Sequence, residues 1–188
     1  MGAQVYAIMT VVKCSGYRYN IDDVLKNANI NPNEVNNIMV VNGPGSFTGV
    51  RVGVTVAKTL AWSKNIKVYP ISELQLLSTS SEKKYIVPLI DARRGFVYAG
   101  IYNKNLKCLL SDQYIALNDL YKLIEKNYDL KDVEYVSYDK FEYVLEPKIN
   151  LKKLFQKGKF KEVLPHDLVP CYLKNTEAEE KLNDKKNK

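Results

Sequence analysis

Histidine, tryptophan, arginine and cysteine are scarce in this chain: one, one, four and three residues out of 188. The single histidine, His166, excludes HExxH zinc sites and paired-histidine metal centres, which need two imidazoles. It also leaves a Ser-His-Asp triad with one imidazole about 120 residues beyond the only glycine-rich turn. The cysteines, Cys14, Cys108 and Cys171, are odd in number, far apart and without a CxxC pair. That usage fits a reducing cytoplasm and argues against a zinc ribbon or a disulfide framework. No apolar run approaches the roughly 18 residues of a membrane span. The longest near the start, Val5 to Val12, has no basic residue before it and no small-residue cleavage site after it, unlike a secretory signal. Internal repeats and low-complexity blocks are absent, and no metal or cofactor is expected.

Lysine, asparagine and tyrosine are abundant. Of 28 basic residues 24 are lysine, beside 17 asparagines and 14 tyrosines, and the formal charge is +7. AT-rich coding produces this bias without any functional demand, so position matters more than the total. Six lysines and one acid between Lys148 and Glu162 carry +5 of the charge. Interleaved with Leu151, Leu154, Phe155 and Phe160, they would form an amphipathic element with a basic outer face. Such a face attracts a polyanion such as tRNA, with Lys152, Lys153, Lys157 and Lys159 as the candidate contacts, or it is a solvated lysine-rich surface.

The first 80 residues alternate strand and helix. Val5–Val12, Ile38–Val41 and Lys67–Pro70 read as strands; Ile21–Ala28, capped by Asn20, and Val50–Trp62 read as helices. Ser72 and Gln75 have the spacing of a capping box that opens a further helix. This order implies a parallel or mixed sheet. Beyond Lys83 the pattern becomes strand, strand, strand, helix, strand over Tyr85–Ile90, Gly95–Tyr102, Leu106–Tyr114, Leu117–Lys126 and Val133–Tyr138. Two α/β lobes follow, 1–82 and 83–175, with a polar tail over 176–188 that lacks the apolar residues to fold.

Between the second strand and its helix lies Gly43-Pro44-Gly45-Ser46-Phe47-Thr48-Gly49. A helix amino terminus behind a glycine turn invites a phosphate, but the turn fails both templates. A P-loop needs glycine where Pro44 stands and Lys-Ser/Thr where Val50-Arg51 stands; GxGxxG needs glycine at Thr48. Architecture is the simpler role, with Ser46 and Thr48 as helix caps. Arg51, unfavourable to the dipole in the first turn, is expected to meet an acid or another anion. On the helix, Gly53, Ala57 and Ala61 recur every four residues as a ridge of small side chains, flanked by Val52, Val56 and Leu60. Apolar residues cover more of the helix than one sheet requires. Either it is buried on two sides, or a second face meets another chain; periodicity does not decide between them.

The run Asn42 to Gly53, followed by Ala57-Lys58 and Leu60-Ala61, resembles the signature of the TsaB (YeaZ) family. Pro70-Ile71-Ser72-Glu73-Leu74, Asp91-Ala92-Arg93-Arg94-Gly95-Phe96-Val97-Tyr98 and Pro170-Cys171-Tyr172-Leu173-Lys174 match further family segments in order. The resemblance implies an actin/hexokinase-like (ASKHA) fold of two α/β lobes. It also implies a non-catalytic role in making threonylcarbamoyladenosine on tRNA. The implied partners are the related subunit TsaD as heterodimer, the ATPase TsaE in a larger complex, and tRNA indirectly; alone the chain is expected to homodimerise. Gly53, Val56, Ala57, Leu60 and Ala61 become the expected partner interface. TsaD binds metal through an HxxxH pair, which this chain lacks. Family members begin with a strand ending I-D-T-S; nothing here matches it, so the first lobe is expected to be truncated at its amino terminus. The alternative function is a nucleotide-dependent phosphotransferase or ATPase of the same fold, which needs an acid on that strand.

Overall fold

The computed structural model describes residues 5–9 and 21–174. Two compact units divide the chain: Met1–Glu73 with Lys159–Pro170, and Leu74–Gly158 with Cys171–Lys188. The expected lobes allot two segments otherwise. The change comes at Glu73/Leu74 because Leu74 and Leu77 are buried with Ile86, Tyr102 and Val136. Residues 159–170 return to the first unit, where Val163 bridges antiparallel to Val68 and Leu168 enters the core. The Asn20 cap and the tail over 176–188 lie outside the described residues.

In the first unit, β1 (Val5–Met9), β2 (Val35–Gly43) and β3 (Lys67–Ser72) form a parallel sheet in that order. Strand β2 is central, and Ile38, Met39, Val40 and Val41 are all buried, the continuous apolar run expected of a parallel strand covered on both faces. Helix α1 (Ile21–Asn27) sends Leu25 into the core and stops before Asn29, whose φ of 53° is left-handed. Helix α2 (Phe47–Lys64) starts three residues before the expected Val50 because Ser46, not Thr48, is its cap. It ends at Asn65, left-handed at φ 53°, whose N–H donates to the Ala61 carbonyl.

The second unit is a mixed five-stranded sheet, β6 (Cys108–Ala116), β5 (Phe96–Tyr102), β4 (Tyr85–Asp91), β7 (Val133–Val136) and β8 (Val144–Leu145), in that spatial order. Strands β4, β5 and β6 pair antiparallel, whereas β7 joins β4, and β8 joins β7, in parallel. Helix α4 (Leu117–Asn127) lays Leu120 and Ile124 on Val87, Leu89, Val97, Ala99 and Ile101. Leu74 and Leu77 of α3 (Glu73–Leu77) pack with Ile86, Tyr102 and Val136. Gly100 leaves room for Asp112, whose carboxylate accepts the Tyr102 hydroxyl at 2.6 Å; a Cβ there would clash. Helix α5 (Leu151–Lys157) is capped by Asn150, which accepts the Lys153 N–H at 2.9 Å. Among the described residues no helix is long and apolar enough to cross a membrane.

Candidate functional site

The glycine-rich turn leaves β2 at Gly43, whose φ of 138° excludes a larger residue, and passes a cis Gly43–Pro44 bond. Ser46 Oγ accepts the Gly49 N–H at 3.5 Å, a long cap. Phe47 and Thr48 are exposed, and the Arg51 guanidinium lies 4.3 Å from the Phe47 ring centroid, a cation–π contact. Gly45 is exposed, and a Cβ there would make only an ordinary contact with Val50, so no close approach is forced at that position. The returning segment fastens this region from one side. Asn42 Nδ2 donates to the Val169 carbonyl at 3.1 Å, and Lys58 Nζ to the His166 carbonyl at 2.8 Å.

Helix α2 has two distinct faces, and only one of them is open. Gly53, Ala57 and Ala61 are buried in the unit's own core. Ala57 and Ala61 pack there with Leu25, Ile38, Val40, Val68 and Leu168, and half-buried Leu60 joins them. The small side chains let α2 lie close on its own sheet and on the turn Pro165–Asp167. Of the five expected interface residues only Val56 is on the open face. That face carries Val52 and Val56, exposed by 53% and 37%, and Phe47 and Trp62, exposed by 52% and 79%, stand at the two ends of the helix. Val24 on α1, also 52% exposed, adds to the apolar surface of the same unit. Val52, Thr55, Val56 and Thr59 recur at helical spacing in the sequence, and with the lone tryptophan they were the legible signal for this second face.

The lysine cluster is reorganised as well. Lys153 is 3% exposed; its Nζ donates to the Ser81 carbonyl and lies 3.0 Å from Glu82 Oε1. It therefore anchors α5 from beneath and does not belong to an outer face. Lys152 and Lys157 are exposed on α5, with Lys157 Nζ reaching the Lys104 carbonyl at 3.4 Å, while Lys159 is exposed in the other unit. Leu151 and Phe155, expected on the apolar side of this element, are 43% and 40% exposed, and of the four interleaved apolar residues only Leu154 is fully buried.

Groups that could carry chemistry are sparse. His166 is exposed and 3.6 Å from Asp167. Burial pushes the Cys108 and Cys171 thiols up, and Asp112 raises both further, so neither is an activated thiolate at neutral pH. Among the described residues no three His, Cys, Asp or Glu side chains gather as a metal site.

A family model described as "TsaD: tRNA N6-adenosine threonylcarbamoyltransferase" matches residues 19–175. The tRNA threonylcarbamoyladenosine biosynthesis protein TsaB of Bacillus subtilis is 34% identical over 183 residues, covering 86% of this chain and 79% of that protein. The TsaB of Haemophilus influenzae is 39% identical over 82 residues, 42% of this chain and 35% of that protein. Among solved structures, YeaZ from Pseudomonas aeruginosa superposes with a TM-score of 0.62 at 20% identity, covering 81% of each chain. That likeness, together with the family-model match, supports the actin/hexokinase-like α/β fold, in agreement with the two α/β units described above. With a relative of this similarity matched over most of both lengths, the chain belongs to the TsaB (YeaZ) family.

Proposed function

We propose that this protein is a non-catalytic partner and activator of TsaD in forming the threonylcarbamoyl group on adenosine beside the tRNA anticodon. Family membership carries the role in tRNA threonylcarbamoyladenosine biosynthesis. The partner role rests on one observation above the others: α2 buries one side in its own core and leaves Val52 and Val56, with Thr55 and Thr59 beside them, open to solvent on another, while Phe47 and Trp62 are exposed at its two ends. An apolar helix face of this kind, with threonines and no acid between the valines, fits a helix of a related subunit. TsaD is the occupant in the working complex, TsaE joins the pair, and a second copy of this chain takes the face when TsaD is absent. Cytoplasm is the compartment where tRNA is modified and where unpaired thiols persist.

The test is reconstitution with TsaD, TsaE and tRNA. Val52→Asp/Val56→Asp should abolish both co-purification with TsaD and tRNA modification while the isolated chain, diluted below self-association, keeps its melting temperature. Undiminished assembly by this variant would sink the interface, and robust ATP hydrolysis by the chain alone would favour the phosphotransferase reading.

A further inference from the structure

The turn Asp91–Gly95 and the strand faces beside it form a surface that the partner role does not use. Phe96 and Tyr98 fall on one face of β5, and Tyr114 stands opposite Tyr98 in the register of β6. The Phe96 and Tyr114 rings stack with centroids 4.7 Å apart and planes 6° from parallel; the Tyr98 ring lies 5.7 Å from Tyr114, tilted by 51°. Lys174 Nζ lies 5.0 Å over the Tyr114 ring. Two arginines stand at the end of this aromatic row, both exposed and both left-handed, Arg93 at φ 68° and Arg94 at φ 54°. The acids nearby accept backbone N–H groups with one oxygen each: Asp91 Oδ1 accepts the Arg93 N–H at 2.9 Å, and Asp139 Oδ2 accepts the Asp91 N–H at 2.8 Å. Among the described residues neither guanidinium forms an ion pair.

We propose that Arg93, Arg94, Phe96, Tyr114 and Lys174 bind single-stranded RNA, with a base on the aromatic pair and phosphates on the cations. The inference goes beyond the partner role. An exposed ring stacked flat on a second presents a face that suits any base. Arginine adds what lysine does not, a planar fork that grips phosphate and stacks. In a chain where 24 of 28 basic residues are lysine, half of the arginines stand in this turn. They do so at a backbone conformation that costs a branched-out side chain more than glycine, the residue that follows them. A duplex hides its base faces, so the row of rings selects single strands.

The experiment measures anisotropy of a labelled 12-nucleotide oligo(A) and oligo(U) RNA with the full chain, between 50 and 200 mM KCl, with duplex RNA, heparin and polyglutamate as competitors. It omits TsaD, so its result is separate from that of the partner reading. Single strands should bind best. Arg93→Gly/Arg94→Gly suits the left-handed backbone and should weaken binding by about tenfold, lowering the slope of log K against log salt by about 1.4. Tyr114→Leu, or Phe96→Leu if the former lowers the melting temperature, should weaken binding at least about fivefold with the salt slope unchanged. The proposal is overturned if wild-type chain binds no single strand at 50 mM KCl. Equal competition by heparin, polyglutamate or duplex overturns it too, as does unaltered affinity of the glycine variant.

Discussion

Helices α2 and α5 turn opposite kinds of residue toward their cores. Helix α2 buries two glycines, two alanines and Val54 and shows Val52, Val56, Phe47 and Trp62; α5 buries a lysine beside one leucine and shows Leu151 and Phe155. The reason is the distance at which each helix meets its neighbours. On α2, Ala57 and Ala61, with no exposed area, share a core cluster with Ile38, Val40 and Val68, where a larger side chain at either position would have to displace its neighbours. On α5, the long Lys153 stem spans to the Ser81 carbonyl and Glu82, bridging what a close-packed face would fill. On α2 the alanines therefore mark where the helix touches its own unit, whereas on α5 a long side chain does.

The largest expected effect breaks this comparison on the buried side of α2. Ala57→Leu inserts three carbons where there is no free surface, and should cost about 3 kcal/mol of unfolding free energy in a urea titration. If stability held while assembly with TsaD failed, the ridge would be facing a partner and the assignment of the two faces would be reversed. On the open side, Val52→Asp/Val56→Asp should leave the urea midpoint within the equivalent of about 0.5 kcal/mol. The same pair should weaken the heterodimer by about 2 kcal/mol or more, roughly thirtyfold, measured by titration calorimetry. Only that combination, stable but unassembled, sharpens the contrast between the faces.

These outcomes also show what was legible in the chain. The continuous apolar run of β2, the turn after it and the succession of strands and helices along the chain up to β7 are local patterns, and they could be read directly. The four-residue recurrence of Gly53, Ala57 and Ala61 gave a face but not what that face meets, because spacing carries no information about the other side of a contact. Lys153 was unreadable for a stronger reason. Its partners, Ser81 and Glu82, lie about 70 residues away, and nothing distinguishes it locally from Lys152. The return of residues 159–170 to the first unit is equally non-local, resting on the bridge to Val68, on Leu168 and on the hydrogen bonds from Asn42 and Lys58. Strand β8, two residues long, is too short to leave a period.

A middle-sized effect tests the buried lysine. Lys153→Ala removes the stem and leaves the Ser81 carbonyl without its charged donor, and should cost about 1–3 kcal/mol. Lys153→Met keeps most of the stem, and Glu82, 70% exposed, loses only a partner that water replaces. It should therefore recover half or more of the alanine loss in the same urea titration. Equal losses for the two variants would place the stabilisation in the ammonium contact and not in the packing, and α5 would then be held electrostatically.

The smallest effect concerns the lysines that do reach solvent. With Lys153 removed from the outer face, and Lys159 in the other unit, the basic surface of α5 reduces to Lys152 and Lys157. Two phosphate contacts on a single strand change the slope of log K against log salt by about 1.4, and each is weakened where a lysine already bonds a carbonyl, as Lys157 does with Lys104 at 3.4 Å. Lys152→Gln/Lys157→Gln should lower the affinity of the assembled complex for tRNA by no more than about threefold at 150 mM salt, an effect on the scale of exposed ion pairs. The Arg93→Gly/Arg94→Gly variant should lower it further in the same filter-binding series. If the lysine pair mattered more than the arginine pair, charge density alone would govern the contact, and the aromatic row beside Arg93 and Arg94 would have no part in holding RNA.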